Sequence, residues 1–326
     1  MRSLICLSTT AATLLIFSVL GSTAFVKAAP QQDTQQVRPL FSVTSELVML
    51  NVTVRDKAKR YLDGLQQDAF TIYENDRQQP IRFFMNEDAP VTIGLLIDNS
   101  GSMQPNRDLV LAAATAFAKT SNPRDDMFAL VFNEEVHSAL TSDAPFTHDP
   151  EVLRTALDRT VTTRGRTALY DAIDRGLEYV ERGSHDRKVL VIVTDGSDNA
   201  SQATFERVVQ KIQSSNVLVF VVAIVDPVDM SPTWKRMRDF GDVSGGELFH
   251  PDNVKQVNKV LQQIAVEIRH TYVMAYEPPE PGAITSLRHI RVAVRTPTNE
   301  KVSVRTRAGY VSPPSVGSRA EVEHGR

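Results

Sequence analysis

Side chains that carry oxygen cluster at three places in the chain: residues 98–102 (DNSGS), 165–167 (GRT) and 195–196 (DG). A hard divalent cation such as Mg²⁺ takes six oxygen ligands in a near-octahedral shell. Asp98, Ser100 and Ser102 occupy alternate positions of one tight loop, so their side chains can turn towards one point. Thr167 and Asp195 add a third hydroxyl and a second carboxylate. These five residues are the predicted ligands of a divalent cation.

The charges of these five ligands would allow the ion to bind a further ligand from another molecule. Asp98 and Asp195 carry about two negative charges against the two positive charges of the ion, and the hydroxyl ligands are neutral. A cation held in this way stays electrophilic and accepts an anionic sixth ligand. Mg²⁺ is the expected metal, and Mn²⁺ and Ca²⁺ stay open because sites built only from oxygen accept all three.

Each cluster also has a simpler interpretation. An Asp or Ser directly after a strand often caps the next helix, and Thr167 stands where it could cap the segment that follows it. Asp195-Gly196 is typical of a turn. Three clusters in the right order, each at a predicted strand end or helix start, favour a metal site over three separate coincidences.

The segments around these clusters alternate between strand and helix patterns. Apolar runs, which are typical of strands buried on both faces, cover residues 91–97, 189–194 and 217–225. A further strand is predicted at 127–132, and helices at 109–119, 152–157, 168–180, 205–212 and 254–268. This alternation predicts an α/β fold with a doubly wound, mostly parallel sheet covered by helices on both sides. Such sheets bind ligands at the carboxyl ends of their strands, where the clusters lie.

The order of these residues resembles a known family. Three motifs are similar to the metal-ion-dependent adhesion site of von Willebrand factor type A domains: Asp98-x-Ser100-x-Ser102, Thr167 in a Gly-x-Thr-Ala-Leu-Tyr-Asp context, and Thr194-Asp195-Gly196. The resemblance covers residues 90–270 and implies the Rossmann-type fold of that family. It also implies that the serines and the threonine bind the metal directly and the acids often through water. An Asp or Glu of a partner protein would then complete the shell.

The chain on either side of this region has a different pattern. Residues 41–88 and 271–311 have the pattern of short strands joined by turns, and we expect them to pack together as one small β subdomain. Motifs in the first of these segments (Asp63-Gly64-Leu65, Asp68-x-Phe70 and Tyr73-Glu74) resemble a bacterial exported subgroup of the family. Residues 312–326 are expected to form a disordered tail.

The N-terminus has the pattern of an export signal. Arg2 precedes a long apolar segment, and residues 26–28 (VKA) match the small-residue pattern of a cleavage site. We expect residues 1–28 to be a signal peptide and 29–40 a flexible leader, although an uncleaved membrane anchor stays open. The only cysteine is Cys6, so we expect the cleaved protein to have no disulfide. Cleavage would also remove the long apolar segment, so we expect no membrane span after it. It would be periplasmic, secreted or displayed at the cell surface.

Together these features predict an exported binding module, not an enzyme, whose cation captures an Asp or Glu carboxylate on another protein. One alternative is a Mg²⁺-dependent phosphohydrolase with Asp98 as nucleophile, but Ser100 stands where such enzymes carry a second acid. Another is an envelope protein in which the metal only staples loops. The formal net charge of −3 argues against nucleic acid as a partner. No feature of the sequence predicts the oligomeric state.

Overall fold

The computed structural model describes residues 47–196, 198–224, 232–251, 253–279 and 287–311. The predicted signal peptide (1–28), leader (29–40) and tail (312–326) lie outside these residues, as does the start of the first β segment (41–46). Within the described ranges, no helix combines the length and the apolar character that crossing a membrane requires.

Strands and helices follow one another along the chain with these bounds. The strands are β1 (Val48–Arg55), β2 (Phe70–Glu74), β3 (Arg77–Gln79), β4 (Ile81–Met85), β5 (Thr92–Asp98), β6 (Asp126–Phe132), β7 (Val136–Ser138), β8 (Lys188–Thr194), β9 (Leu218–Ala223), β10 (Leu248–Phe249), β11 (Tyr272–Tyr276), β12 (Leu287–Val294), β13 (Ser303–Arg305) and β14 (Gly309–Val311). The helices are α1 (Arg107–Thr120), α2 (Pro150–Thr160), α3 (Leu169–Val180), α4 (Phe205–Ser214), α5 (Pro232–Ser244) and α6 (Val257–Arg269). Short 3₁₀ turns lie at Gln67–Ala69, Gly101–Asn106 and Val254–Gln256.

The central sheet has the strand order β10-β9-β8-β5-β6-β7. Its neighbours run parallel, except that β7 is antiparallel to β6. Every residue of β5 and β6 is buried, which explains why the sequence shows continuous apolar runs there instead of alternation.

Helices cover both faces of this sheet. One face buries Ile93, Leu95 and Ile97 of β5 against α1, α2 and α6. The other face buries Leu96 and Leu190 against α3, α4 and α5. The predicted doubly wound α/β fold is therefore confirmed.

Some elements carry no clear signal in the sequence. Strands β3, β7 and β10 are two or three residues long, which is too short for a period to appear. Helix α5 carries many charged residues, and its buried core contacts come from Met237 and Phe240. By contrast, α2 begins as its sequence predicts, because the Asp149 side chain accepts a hydrogen bond from the Glu151 N–H at 2.8 Å and Pro150 occupies the first turn.

The two flanking segments form a β subdomain, as predicted. Strands from both ends of the chain pair in two antiparallel sheets with the orders β13-β1-β11-β4 and β14-β12-β2-β3. Their shared core includes the fully buried side chains of Leu50, Val52, Ile72, Met274 and Tyr276. The predicted pairing of the two ends is therefore confirmed.

A buried ion cluster links this subdomain to α6. The carboxylate of Glu267, on α6, has no exposed surface and lies 2.6 Å from Arg55 Nη2 of β1. The hydroxyl of Tyr61 donates to the same carboxylate at 3.0 Å. Arg305 of β13 pairs with both Glu267 and Glu247. Since each charge is matched, the cluster fixes α6 against the β subdomain without leaving an uncompensated buried ion.

Replacing Glu267 with Ala should destabilise the protein by about 3 kcal/mol, because two partly buried arginines lose a buried carboxylate partner. The free energy of unfolding, measured in urea, checks this. Glu178→Ala is the matched control, since Glu178 is largely exposed and its ion pair with Lys211 lies at the surface of α3. That control should cost under about 1 kcal/mol. Equal losses in the two variants would contradict the assigned role of Glu267.

Candidate metal centre

The candidate site lies where the order of strands reverses. From β5 the chain passes through α1 to β6 on one side, and it later returns to β8 on the other side of β5. Ile97 of β5 pairs with Val193 of β8, so the next residues, Asp98 and Thr194, end neighbouring strands side by side. In open α/β sheets, ligands bind in the crevice at such a reversal point.

Asp98 is held in a fixed orientation by two donors. Its side chain is buried, with 1% of its surface exposed. One carboxylate oxygen, Oδ1, accepts a hydrogen bond from the Ser100 N–H at 2.9 Å, and Oδ2 accepts one from the Thr194 hydroxyl at 2.6 Å. The Thr194 oxygen in turn accepts from the Gly196 N–H at 2.9 Å. Asp98 is therefore tied both to its own loop and to the loop that carries Asp195.

The two serine hydroxyls have the spacing that a shared octahedral ion requires. Ser100 Oγ and Ser102 Oγ lie 3.1 Å apart. Two adjacent ligands at 2.0–2.1 Å from one ion are separated by about 2.9 Å. Ser100 is buried and Ser102 is exposed, so the site reaches from the sheet edge to the protein surface.

Thr167 is positioned by its backbone and does not cap a helix. Its N–H donates to the Asn199 side-chain oxygen at 2.9 Å, and its carbonyl accepts from the N–H groups of Asn199 and Ala200. The N-cap of α3 is the next residue, Ala168, and no side chain bonds there. Ser100 likewise makes no side-chain cap bond to the 3₁₀ turn after it. The capping interpretation of these two hydroxyls is therefore not supported, and both stay available to a ligand.

Asn99 joins the loop of Asp98 to the loop of Thr167. Its buried side-chain oxygen accepts from the Thr162 N–H at 2.7 Å and from the Thr163 N–H at 2.5 Å. The backbones of the two loops also bond directly, since the Gly101 N–H donates to the Gly165 carbonyl at 3.0 Å. Asn99 lies within the DNSGS motif, but no feature of the sequence predicts this bracing role.

Glycine at position 196 is required by both conformation and packing. Its φ of +93° lies in the left-handed region that favours glycine. A Cβ atom there would lie 2.6 Å from Met237 Cε and 2.8 Å from Met237 Sδ. Gly196 therefore lets the loop that carries Asp195 pack directly against α5.

The acidic pair at the site has no basic partner. Within the part of the chain that the structure describes, no Lys, Arg or His forms an ion pair with Asp98 or Asp195. Arg166, next to Thr167, instead lies 3.8 Å from Glu134. Burial raises the pKa of Asp98 to about 6; hydrogen bonds from Thr194 and Ser100 lower it, and the charge of Asp195 raises it further. A buried carboxylate with an acidic neighbour and no cation favours binding of a positive ion.

Three nearby polar residues have structural contacts that the sequence did not predict. The Asp171 carboxylate accepts hydrogen bonds from the N–H groups of Gln202 and Ala203. Asp198 accepts from the hydroxyl of Ser201, and Asn199 holds Thr167 as described above. These side chains fix the loop after Asp195 against the start of α3.

The donor set fits a hard divalent cation. Two carboxylates and three hydroxyls supply oxygen only, and the buried Asp98 has no positive partner among the described residues. In the described residues, no group of three or more His, Cys, Asp or Glu side chains is placed to hold a metal. The candidate site therefore depends on its hydroxyl ligands, and Asp98, Ser100, Ser102, Thr167 and Asp195 would hold the ion.

The fold and the candidate site define a class of protein. It is an open α/β protein with oxygen-bearing side chains at the carboxyl ends of its strands, where the strand order reverses. A family model of the von Willebrand factor type A domain matches residues 92–264, and the chain belongs to that family. The family comprises protein-interaction and adhesion modules, and its domains bind a divalent cation at the metal-ion-dependent adhesion site. A comparison with curated proteins found no match.

Three solved structures illustrate the proteins to which this chain is similar, each at low sequence identity. A von Willebrand factor type A protein from Catenulispora acidiphila is 12% identical, with a TM-score of 0.49 over 84% of this chain and 76% of that chain. An aerotolerance-related membrane protein from Bacteroides fragilis is 17% identical, with a TM-score of 0.44 over 55% and 98%. Proximal thread matrix protein 1 from the mussel byssus, solved with zinc in its adhesion-site motif, is 15% identical, with a TM-score of 0.46 over 55% and 48%.

The raised pKa of Asp98 predicts a pH-dependent loss of stability in metal-free protein. Between pH 4 and pH 6 the folded protein keeps a proton on Asp98 that the unfolded chain has released, since the pKa rises from 3.8 to about 6 on folding. Stability therefore falls as pH rises through this window, by about 2 kcal/mol, and becomes constant above about pH 7.

Urea unfolding in EDTA at several pH values checks this, with Asp98→Asn as the reference protein. The difference in unfolding free energy, native protein minus variant, should fall by about 2.5 kcal/mol between pH 4 and pH 7. A difference that does not change with pH would show that burial does not perturb Asp98.

Asn99→Ala should destabilise the protein by about 2 kcal/mol, because the N–H groups of Thr162 and Thr163 lose their acceptor. Asn122→Ala is the matched control, since the Asn122 side-chain oxygen accepts one exposed hydrogen bond, from the Arg124 N–H. We expect this control to cost about 0.5 kcal/mol. Thermal unfolding in EDTA separates the two variants, and equal losses would count against Asn99 as the brace of the site.

Proposed function

We propose that this protein is an exported binding module that recognises a carboxylate on a partner protein through a divalent cation at Asp98, Ser100, Ser102, Thr167 and Asp195. When bound, the cation supplies positive charge and an open ligand position at the surface. The observation that carries the proposal is the buried Asp98 carboxylate, which lies beside a second acid and has no basic partner within the described residues.

The chain's own residues prepare the site before any ligand arrives. Thr194 and the Ser100 N–H fix both oxygens of Asp98, and Asn99 fixes the neighbouring loop. Preorganised ligands lose little conformational entropy when the ion binds, so the ion binds with higher affinity than it would to mobile ligands. Exposed Ser102 marks the side from which a partner approaches.

Two residues beside the site can influence which partner binds. Arg166 is largely exposed and lies 3.8 Å from Glu134, which is also partly exposed. The rim therefore carries both signs of charge within one small area. A partner with an acidic residue next to its metal-binding carboxylate can pair with Arg166, whereas Glu134 repels it.

The phosphohydrolase alternative fits these contacts poorly. An Asp nucleophile needs a carboxylate oxygen that is free to attack phosphorus, but both oxygens of Asp98 accept hydrogen bonds and the side chain is buried. Ser100 cannot serve as a general acid at neutral pH. These contacts favour a ligand role for Asp98.

Export rests on the sequence of the N-terminal segment. The basic start, the apolar stretch and the small residues at 26–28 favour a signal peptide. The proposed site of action is the periplasm, the cell surface or the medium. Mg²⁺ is the proposed metal because hydroxyl and carboxylate oxygens suit it, with Mn²⁺ and Ca²⁺ as the alternatives.

A peptide library tests the proposed function. Each peptide carries one central Asp or Glu, and a matched copy carries Asn or Gln at that position. We expect the acidic peptides to yield binders in Mg²⁺ that are lost in EDTA and lost in Asp98→Ala. The control variant Asp158→Ala, which removes an exposed acid of α2, should bind as the native protein does.

Two results would contradict the proposal. One is binding by Asp98→Ala at native affinity with its fold intact. The other is equal binding of the acidic peptides and their amide copies, since an amide oxygen is a weaker ligand and carries no charge.

A further inference from the structure

A polar cavity lies between the β subdomain and the amino end of β10, away from the candidate metal centre. It has a volume of about 500 Å³, and its polar lining comes mainly from Arg55, Asp56, Lys57, Lys59, Glu247 and Lys301. We call it the basic cleft. It opens to solvent, and all three lysines are exposed.

Strand pairing brings the lysines of the cleft together. β1 and β13 are antiparallel neighbours, and Arg55 pairs with Ser303. The turn after β1, which carries Lys57 and Lys59, therefore lies beside the turn before β13, which carries Lys301. The cluster is a consequence of topology, since Lys301 is more than 240 positions from Lys57 and Lys59 in the sequence.

The cleft lies at the opposite edge of the central sheet from the metal centre. Glu247 directly precedes β10, which runs parallel to β9. The amino ends of these strands therefore face the cleft, whereas Asp98 and Asp195 follow the carboxyl ends of β5 and β8. A ligand of the cleft would not compete with a ligand of the metal centre.

The cleft has an excess of positive charge in an acidic chain. The acids at the cleft already have partners, since Asp56 pairs with Arg60 at 2.8 Å and Glu247 pairs with Arg55 and Arg305. With the buried Glu267 included, the cleft and its partners hold six basic and three acidic side chains, a net charge of +3. The whole chain has a net charge of −3.

The three lysines supply this excess. Across the described residues, Lys57, Lys59 and Lys301 form no ion pair. Ammonium groups at one solvent-open cavity repel one another weakly, because water and salt screen them, and an anion bound between them would relieve that repulsion. Three unpaired charges around one concave space match a multivalent anion better than a single carboxylate.

The backbone at Lys59 adds a second observation. Lys59 has a φ of +62°, a conformation that favours Gly or Asn and costs a lysine about 1 kcal/mol. The turn is held by bonds from the Lys59 N–H to the Asp56 carbonyl at 3.0 Å and from the Arg60 N–H to the Asp56 side chain at 2.9 Å. A lysine is therefore kept where another residue would be more stable, and its side chain lines the cleft.

We propose that the basic cleft binds a phosphate group, with Lys57, Lys59 and Lys301 as its ligands. Phosphate carries up to two negative charges and three acceptor oxygens, and lysine is a common phosphate ligand in proteins. The phosphate can belong to a soluble anion or to a lipid headgroup, because both present the same chemistry at the surface.

Titration calorimetry with pyrophosphate, in EDTA, tests the proposal with the full chain. EDTA removes any cation at the metal centre, so that phosphate cannot bind there. We expect the triple variant Lys57→Gln, Lys59→Gln, Lys301→Gln to lose at least tenfold in affinity. The matched control replaces Lys235, Lys255 and Lys259 with Gln, which removes the same charge from exposed positions on or near α5 and α6.

Vesicles distinguish the two sources of phosphate. Co-sedimentation with phosphatidylglycerol vesicles but not phosphatidylcholine vesicles, lost in the cleft variant, assigns the site to a lipid headgroup. Pyrophosphate binding without vesicle binding assigns it to a soluble anion. Native protein that binds neither probe, or equal losses in the two triple variants, overturns the proposal.

Lys59→Asn separates a binding role from a structural one. Asn tolerates a positive φ better than Lys, so the variant should melt at a higher temperature than the native protein. The same variant should bind the phosphate probe at least threefold more weakly. Unchanged affinity together with a higher melting temperature would remove Lys59 from the site and overturn the proposed ligand set.

Discussion

The burial of one carboxylate, Asp98, at the point where the strand order reverses is the constraint on which the site depends. The parallel pairing of β5 with β8 sets the end of one strand beside Thr194 and brings Asp195 close. A charged group there loses hydration, and hydrogen bonds from Thr194 and Ser100 replace only part of it. The neighbouring loops then act as a frame: Asn99 and the Gly101–Gly165 bond hold the hydroxyl ligands near the acid. A divalent cation would supply the missing positive charge.

Much of the fold was predictable because its strands are buried on both faces. Continuous apolar runs such as 91–97 and 189–194 give a strong strand signal, and Asp149-Pro150 marks the start of α2. The edge strands β7 and β10 are too short for an alternation of apolar and polar residues to appear in the sequence. The five ligand candidates came from residue types and their order, and their metal-binding role stays a prediction. The bracing role of Asn99 was not predictable, because it depends on contacts with Thr162 and Thr163, more than 60 residues away.

Ion pairs connect the β subdomain to α6, the last helix that packs against the central sheet. Arg55 and Arg305 come from opposite ends of the chain and meet at Glu267 on α6. Helix α6 also packs in the same apolar core as α1, which follows the loop of Ser100 and Ser102. The molecule thus places an acidic centre at the carboxyl edge of the sheet and a basic cleft beyond the amino edge. A ligand of one of these two places would therefore not occupy the other.

The most direct test of this account is the melting temperature of the protein in Mg²⁺, in Mn²⁺ and in EDTA, beside that of Asp98→Ala. A ligand that binds only the folded protein raises its stability by mass action, by about 2.7 kcal/mol at a hundred times the dissociation constant. The account predicts a higher melting temperature in Mg²⁺ or Mn²⁺ than in EDTA, and no such difference in the variant. A native protein that melts at the same temperature in saturating metal and in EDTA would contradict it.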